Sequence, residues 1–327
     1  MRVSVAEIEK KSFAALTAHG AGAWQASEVA RAVARAEETG NIICGLYYLE
    51  SYCIQLVSGR VDGTVEPEVT VPRLGSVTVD ARFGFAQPAF ARALPVAVEA
   101  ARSNGVATLA VGHSHTCTSL GFFTEQFAGQ GLIAIGMTNA SAIVAGPGGR
   151  KAILGTNPIA ITIPGEGVPA MHADFSTSAV ALGKITMAKA AGEQIPLGWA
   201  VDSDGNPTTD PGEALKGALV SAADYKGWAL GLMVEALAAG LTGSVTSEKT
   251  KGLKLADGPP HDLGQVYIVI DPNAHGGAFS ERFESIAAAI DSDPGVRIPG
   301  ASRRLQDPVE VPDALWAKVE ELVAGPA

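Results

Sequence analysis

Residues 112–123 read GHSHTCTSLGFF and follow the apolar run VATLAV, so two histidines, a cysteine, two threonines and two serines gather at the end of a strand. Open α/β sheets bind ligands at the carboxyl ends of their strands, and imidazoles and hydroxyls are groups that orient and protonate small molecules. The hydroxyls of Thr116, Thr118 and Ser119 can cap the helix that follows or bond a phosphate. His113 and His115 are two apart, which on a strand places them on one face. No third ligand is spaced to join them, and the pattern predicts no metal site. Helix capping with satisfied histidines competes with the binding reading, and these residues alone leave both open.

Three other stretches carry candidate chemistry. AGPGGRKAILGTNPIA (145–160) sets glycine-rich backbone beside Arg150 and Lys151, a combination suited to a carboxylate or phosphate, although alone it reads as an ordinary surface loop. GEGVPA (165–170) has GxGxxA spacing, but Pro169 stands where a helix should begin and the strand-like MHADFS follows, which predicts a hairpin turn. Asp202, Asp204, Asn206 and Glu213 fall at calcium-loop positions, yet Pro207 takes the place of the required glycine, so DGNP predicts a plain turn. Neither a GxGxxG nor a Walker A sequence occurs.

The elements that must position these groups alternate. Ser4 with Glu7 makes a capping box ahead of a helix that stops by Gly20, and Ser27–Glu38 predicts a second helix closed by Gly40. Strand-like valines with prolines then occupy 64–73 and 76–80, a lobe boundary. Beyond it, helical stretches alternate with VATLAV, LIAIGMTN, PIAITIP, MHADFS and QVYIVID, which predicts a mixed α/β fold. Segments 278–291 and 313–324 are amphipathic and predict closing surface helices. The run WALGLMVEALAAGL (228–241) contains Glu235 and is too short to span a bilayer, so it reads as a buried core helix.

Composition excludes several classes. With 327 residues, 47% hydrophobic and 18% charged, the chain can bury a large core as a soluble globular protein. The net charge is −10 and basic residues cluster no further than Lys10-Lys11, Arg150-Lys151 and Arg303-Arg304, which argues against a nucleic-acid surface. Cys44, Cys53 and Cys117 have no CxxC spacing and an odd count, which fits a reducing cytoplasm. Glu7, Glu9 and two lysines interrupt the N-terminal stretch, so no secretion signal and no membrane span are expected.

Five motifs, SHTCTSLGFFTEQFA, GPGGRKAILGTNPIA, DFSTSAVALGKI, DYKGWALGLMVEAL and IPGASRR, keep an order and spacing that resembles the malate/L-lactate dehydrogenase-2 family, which includes sulfolactate dehydrogenase-like enzymes, over nearly the whole chain. Within it the chain looks most like the Δ1-piperideine-2-carboxylate/Δ1-pyrroline-2-carboxylate reductases, whose strand-end loop usually reads HHFSALW where this chain has HTCTSLG. The resemblance implies a non-Rossmann nicotinamide-binding α/β fold with a mixed sheet and helical N- and C-terminal segments, in a homodimer acting on a small-molecule substrate. Residues 1–75 would pack with 278–327, 76–120 would form the substrate side and 121–277 the cofactor-binding domain.

Carried over residue by residue, the cofactor contacts fall on His115, Thr116, Cys117, Thr118, Ser119 and Leu120, on Asp174, Phe175 and Ser176, on Lys226 and Gly227, and on Arg303 and Arg304. Tyr48, Thr156 and Gly183 fall on the substrate side. A pair of arginines suits a 2′-phosphate, which favours NADPH with NADH as the alternative.

One segment departs from the family. Where it reads Ser-His-Gly and, further on, Arg, with Ser and His delivering a proton and Arg clamping the substrate carboxylate, this chain has Ile43, Cys44 and Tyr48. The loop histidine is likewise Thr116, with His115 one place earlier. Reducing a ketone requires a proton for the developing alkoxide, whereas a cyclic imine can bind already protonated and accept hydride alone. The expectation is therefore an NAD(P)H-dependent reductase of a small cyclic ketimine carboxylate, with His115, Tyr48 and Cys44 as candidate donors. A 2-hydroxy-acid dehydrogenase and a family member that retains only ligand binding are the alternatives.

Overall fold

The computed structural model describes residues 1–301 and 303–326. Ser4 Oγ accepts the Glu7 N–H at 3.2 Å, so the capping signature starts helix α1 (Val5–Ala18). Helices α2 (Ala23–Glu38) and α3 (Leu46–Ser58) follow, and Val29, Val33, Leu49 and Tyr52 share a core with Trp316, Val319 and Leu322 of the C-terminal helix Asp313–Val323. Arg2–Val3 pairs antiparallel with Val309–Glu310, bringing the two ends of the chain onto that core.

Seven strands form the main sheet, in the order Glu68–Arg73, Ser76–Asp80, Val106–Ser114, Leu263–Ile270, Ile133–Thr138, Ile159–Ile163 and Met171–Phe175. Only Ser76–Asp80 with Val106–Ser114 is parallel; the other neighbours are antiparallel. This is not the Rossmann order, which explains why no dinucleotide fingerprint is present. Residues 164–170 close the hairpin between the last two strands. Helices α4 (Ala86–Asn104) and α5 (Gly121–Ala128) cover one face, where Phe90, Phe123 and Phe127 meet Tyr267. A smaller five-stranded sheet joins Pro207–Thr208, Ala200–Val201, Ala218–Leu219, Val144–Ala145 and Ala152–Leu154, flanked by α6 (Leu182–Ala191) and α7 (Pro211–Ala214). Asp202 Oδ1 there accepts the Asp204 and Asn206 N–H groups, both at 2.9 Å, which makes 202–206 the expected turn.

The second face of the main sheet carries helix α8 (Tyr225–Thr242), because alternation along Leu263–Ile270 sends Val266 and Ile268 to that side. Gly264 permits the contact: a Cβ there would collide with the Ala238 carbonyl. The sequence expectation of a buried core helix is corrected here. Gly231, Val234 and Ala238 face inward, whereas Leu230, Met233 and Leu241 are exposed. A helix apolar all round has no periodicity to show which side is covered. No helix among the described residues is long and apolar enough to cross a membrane.

Candidate functional site

The strand Val106–Ser114 ends in backbone that sequence periodicity does not encode. His113 adopts a left-handed φ of 52°, which breaks the alternation, so the two histidines do not share a face. His113 Nδ1 pairs with Asp262 Oδ1 at 2.8 Å. His115 turns inward, 1% exposed, with Nε2 at 2.6 Å from Gln55 Oε1. Gln55 Nε2 donates to the carbonyls of Leu253 and Leu255, so its Oε1 is the acceptor and His115 Nε2–H the donor. His115 Nδ1 is left without a partner, and the ring stacks on His261 at 3.9 Å. Burial, with His261 and Arg60 nearby, holds His115 well below the ordinary imidazole range, so it is neutral.

Of the rest of that loop, Thr116, Cys117 and Leu120 are buried, and Thr118 and Ser119 are half-buried. Tyr52 Oη donates to Thr118 Oγ1 at 3.1 Å and Asn41 Nδ2 to Ser119 Oγ at 3.3 Å, fastening the shelf to the N-terminal helices. Facing it is the end of Met171–Phe175. Asp174 Oδ2 accepts the N–H of Gly121, the first residue of α5, at 2.7 Å. Asp174 is exposed to solvent on one side, yet the protein packed around it raises its pKa, opposed by the Gly121 N–H and by Arg303.

Phe175 is exposed beside it and Ser176 is half-buried. Thr156 is held through its carbonyl, which accepts Thr177 N–H at 2.9 Å and Thr177 Oγ1 at 3.0 Å. Gly183 lies across from Ile43, whose Cδ1 would be 3.3 Å from a Cβ at that glycine. Lys226 is exposed at the start of α8, and Gly227 packs where a Cβ would strike the Ala222 carbonyl.

The two C-terminal arginines separate in role. Arg303 pairs with Glu125, which also bonds Arg35 at 3.0 Å and lies 3.6 Å from His172. Arg304 is exposed and forms no ion pair among the described residues.

Cys44 and Tyr48 lie close to one another, and Asp174 is near enough to act on the Cys44 thiol. Burial, then Asp174, pushes the Cys44 thiol up to about 12. Burial also raises Tyr48, whose Oη donates to the Leu253 carbonyl at 3.1 Å. Lys254 lies over both neighbouring rings, with Nζ 3.6 Å from the centroid of Tyr47 and 5.0 Å from that of Tyr48. The sequence reading missed Gln55, Arg60, Lys254 and His261. Gln55 shares a helical face with Tyr48 and Tyr52, a spacing that could have found it. The other three meet through the loop 251–262, far from α3 in sequence, and no periodicity announces that contact.

The residue types present suit a dinucleotide: an exposed aromatic face at Phe175, hydroxyls at Thr118 and Ser119, and exposed cations at Lys226 and Arg304 that form no ion pair among the described residues.

The sequence pattern of the family described as malate/L-lactate dehydrogenase matches residues 3–320. A (2R)-3-sulfolactate dehydrogenase (NADP(+)) of Chromohalobacter salexigens is 39% identical, covering 98% of this chain and 97% of that protein. A Δ1-pyrroline-2-carboxylate reductase of Ancylobacter novellus is 37% identical over 98% and 97% of the two chains. Among solved structures, the Δ1-piperideine-2-carboxylate reductase of Pseudomonas syringae superposes with a TM-score of 0.91 at 35% identity, covering 98% of this chain and 99% of that one.

Proposed function

Because this chain belongs to the malate/L-lactate dehydrogenase family of oxidoreductases, we propose that it reduces a small cyclic ketimine carboxylate, Δ1-pyrroline-2-carboxylate or Δ1-piperideine-2-carboxylate, to L-proline or L-pipecolate. The observation that carries the reading is how the candidate donors are held, with His115 and Tyr48 buried and the Tyr48 hydroxyl committed to the Leu253 carbonyl. His115 is held neutral with its N–H committed to Gln55, and the Cys44 thiol and Tyr48 hydroxyl are pushed far above neutral pH. None is poised to protonate an alkoxide, and an iminium does not need it. A reduced nicotinamide, when bound, supplies the hydride. Thr118, Ser119, Phe175, Ser176, Lys226 and Arg304 are the residues that would hold it. The exposed Asp174 carboxylate, held against the start of α5, favours a cationic imine over a neutral ketone.

His115→Asn should leave cyclic imine turnover within about tenfold, since about 1.4 kcal/mol is the most a lost supporting hydrogen bond should add to the barrier. Deleting a true general acid would instead cost roughly 10²–10⁴ in rate. A collapse of imine turnover in a folded, cofactor-binding His115→Asn enzyme would refute the donor-free mechanism. The second reading, a 2-hydroxy-acid dehydrogenase, is favoured by the sulfolactate-acting relative.

The cofactor we assign is NADPH, since Arg304 offers an exposed guanidinium that forms no ion pair among the described residues. We assign residues 121–277 to cofactor binding, as they supply Asp174–Ser176 and Lys226, and 76–120 to the substrate side; the packing of the N-terminal helices against Val309, Val311, Trp316, Val319 and Leu322 supports grouping 1–75 with the C-terminal segment. A homodimer is supported by the exposed apolar face of α8, where Leu230, Met233 and Leu241 need cover. Sedimentation of the wild type should give twice the chain mass, and Leu230→Glu with Met233→Glu should give the single chain; a monomeric wild type at micromolar concentration would contradict this. Three free cysteines support a reducing cytoplasm as the compartment.

A further inference from the structure

The replacement of the family's carboxylate-clamping arginine by Tyr48 leaves the cleft in need of another cation, and the structure brings one in from the loop 251–262. Lys254 sits over Tyr47 and Tyr48 and makes no ion pair among the described residues. Its place is fixed from both sides. Gln55 Nε2 donates to the Leu253 carbonyl at 2.7 Å and to the Leu255 carbonyl at 2.8 Å, so the two residues flanking Lys254 are fastened to one side chain of α3. Tyr48 Oη adds a third bond to Leu253. Arg60, 1% exposed, donates to the carbonyls of Gly252, Leu255 and Pro259. Arg60 Nε and Nη1 are spent on these carbonyls while Nη2 is buried without a hydrogen-bond partner among the described residues, so the guanidinium holds this loop.

Asp174 and Lys254 both lie near enough to Cys44 for their charges to act on its thiol. A carboxylate at Asp174 and an ammonium at Lys254 thus both stand near the position where the family keeps its histidine. A cyclic ketimine carboxylate in its protonated form is a zwitterion of matching polarity.

We propose that Lys254 binds the substrate carboxylate, presented from the loop that Gln55 and Arg60 position over α3 and taking the place of the arginine absent at Tyr48. This rests on the reading of the substrate as a small carboxylate. One face of the ammonium meets the tyrosine rings, and among the described residues its remaining N–H donors make no hydrogen bond, which leaves them for an anion.

The test compares wild type, Lys254→Met and Lys254→Arg. Lys254→Met should raise the KM for the carboxylate substrate about tenfold or more with a smaller change in kcat, because a charged hydrogen bond is lost in the ground and transition states alike. Lys254→Arg should restore most of the KM. Discrimination between Δ1-pyrroline-2-carboxylate and Δ1-pyrroline, which lacks the carboxylate, should fall in Lys254→Met by the same factor. If the wild type turns over an open-chain 2-oxo acid instead, the imine reading fails while the same KM comparison on that acid still tests Lys254. If neither class is turned over, calorimetry with pyrrole-2-carboxylate should show binding to wild type weakened about tenfold by Lys254→Met. An unchanged KM in Lys254→Met, or wild type that fails to bind the analogue, would overturn the proposal.

Discussion

Replacing Arg304 with alanine should raise the KM for NADPH about tenfold to a hundredfold and leave the KM for NADH nearly unchanged, because a charged hydrogen bond to phosphate contributes about 1.5–3 kcal/mol. The 2′-phosphate is the group that distinguishes the two cofactors, so the loss should be confined to the one that carries it. Arg303 makes the contrasting case. Its guanidinium is committed to Glu125, which also holds Arg35, so Arg303→Ala should loosen that cluster and weaken both cofactors together. Steady-state kinetics with each cofactor separates the two outcomes. Equal effects of Arg304→Ala on NADPH and NADH would remove Arg304 from phosphate recognition.

Acidification should destabilise the fold through the stacked pair His115 and His261. Burial, then Arg60, lowers His261 from 6.5 to about 3. The folded state thus resists a proton that the unfolded chain accepts, and the stability carried by the neutral ring is complete above pH 6.5. It falls as pH drops below that value and stops falling near the folded pKa of about 3. Between pH 7 and pH 5 His261 alone should cost about 2 kcal/mol, and His115 is shifted in the same direction. Thermal unfolding followed across this range checks the sign and size. His261→Asn should flatten the dependence, and a slope parallel to wild type would show that His261 is not its source.

Local signals carried the fold far. Ser4 with Glu7 started a helix, GEGVPA turned a hairpin where a phosphate loop would have needed a helix, and apolar alternation located the strands. The five motifs mark segments that the fold brings into contact, Asp174 with Gly121, Thr177 with Thr156, Asn157 with Glu235 and Arg303 with Glu125. What stayed hidden depended on tertiary geometry. The left-handed backbone at His113 turns His115 into the core, and no spacing rule forecasts a positive φ at a histidine. Likewise, the cation beside Tyr48 comes from residue 254, and only the carbonyls held by Gln55 and Arg60 reveal why it is there. The outward leucines of α8 were misassigned for a related reason, since hydrophobicity specifies burial without saying against what.

The central claim is that the site reduces a preprotonated imine without a protein proton donor. The most direct measurement is kcat/KM, with NADPH, for Δ1-pyrroline-2-carboxylate and Δ1-piperideine-2-carboxylate against open-chain 2-oxo acids, read from consumption of the reduced cofactor across a pH series. The cyclic imines should be favoured by about 10² or more, the low end of what general acid catalysis contributes to the ketone reaction. Their rates should follow protonation of the free imine. Preference for the open-chain 2-oxo acids, with a rate that falls above the pKa of a group on the enzyme, would contradict the account.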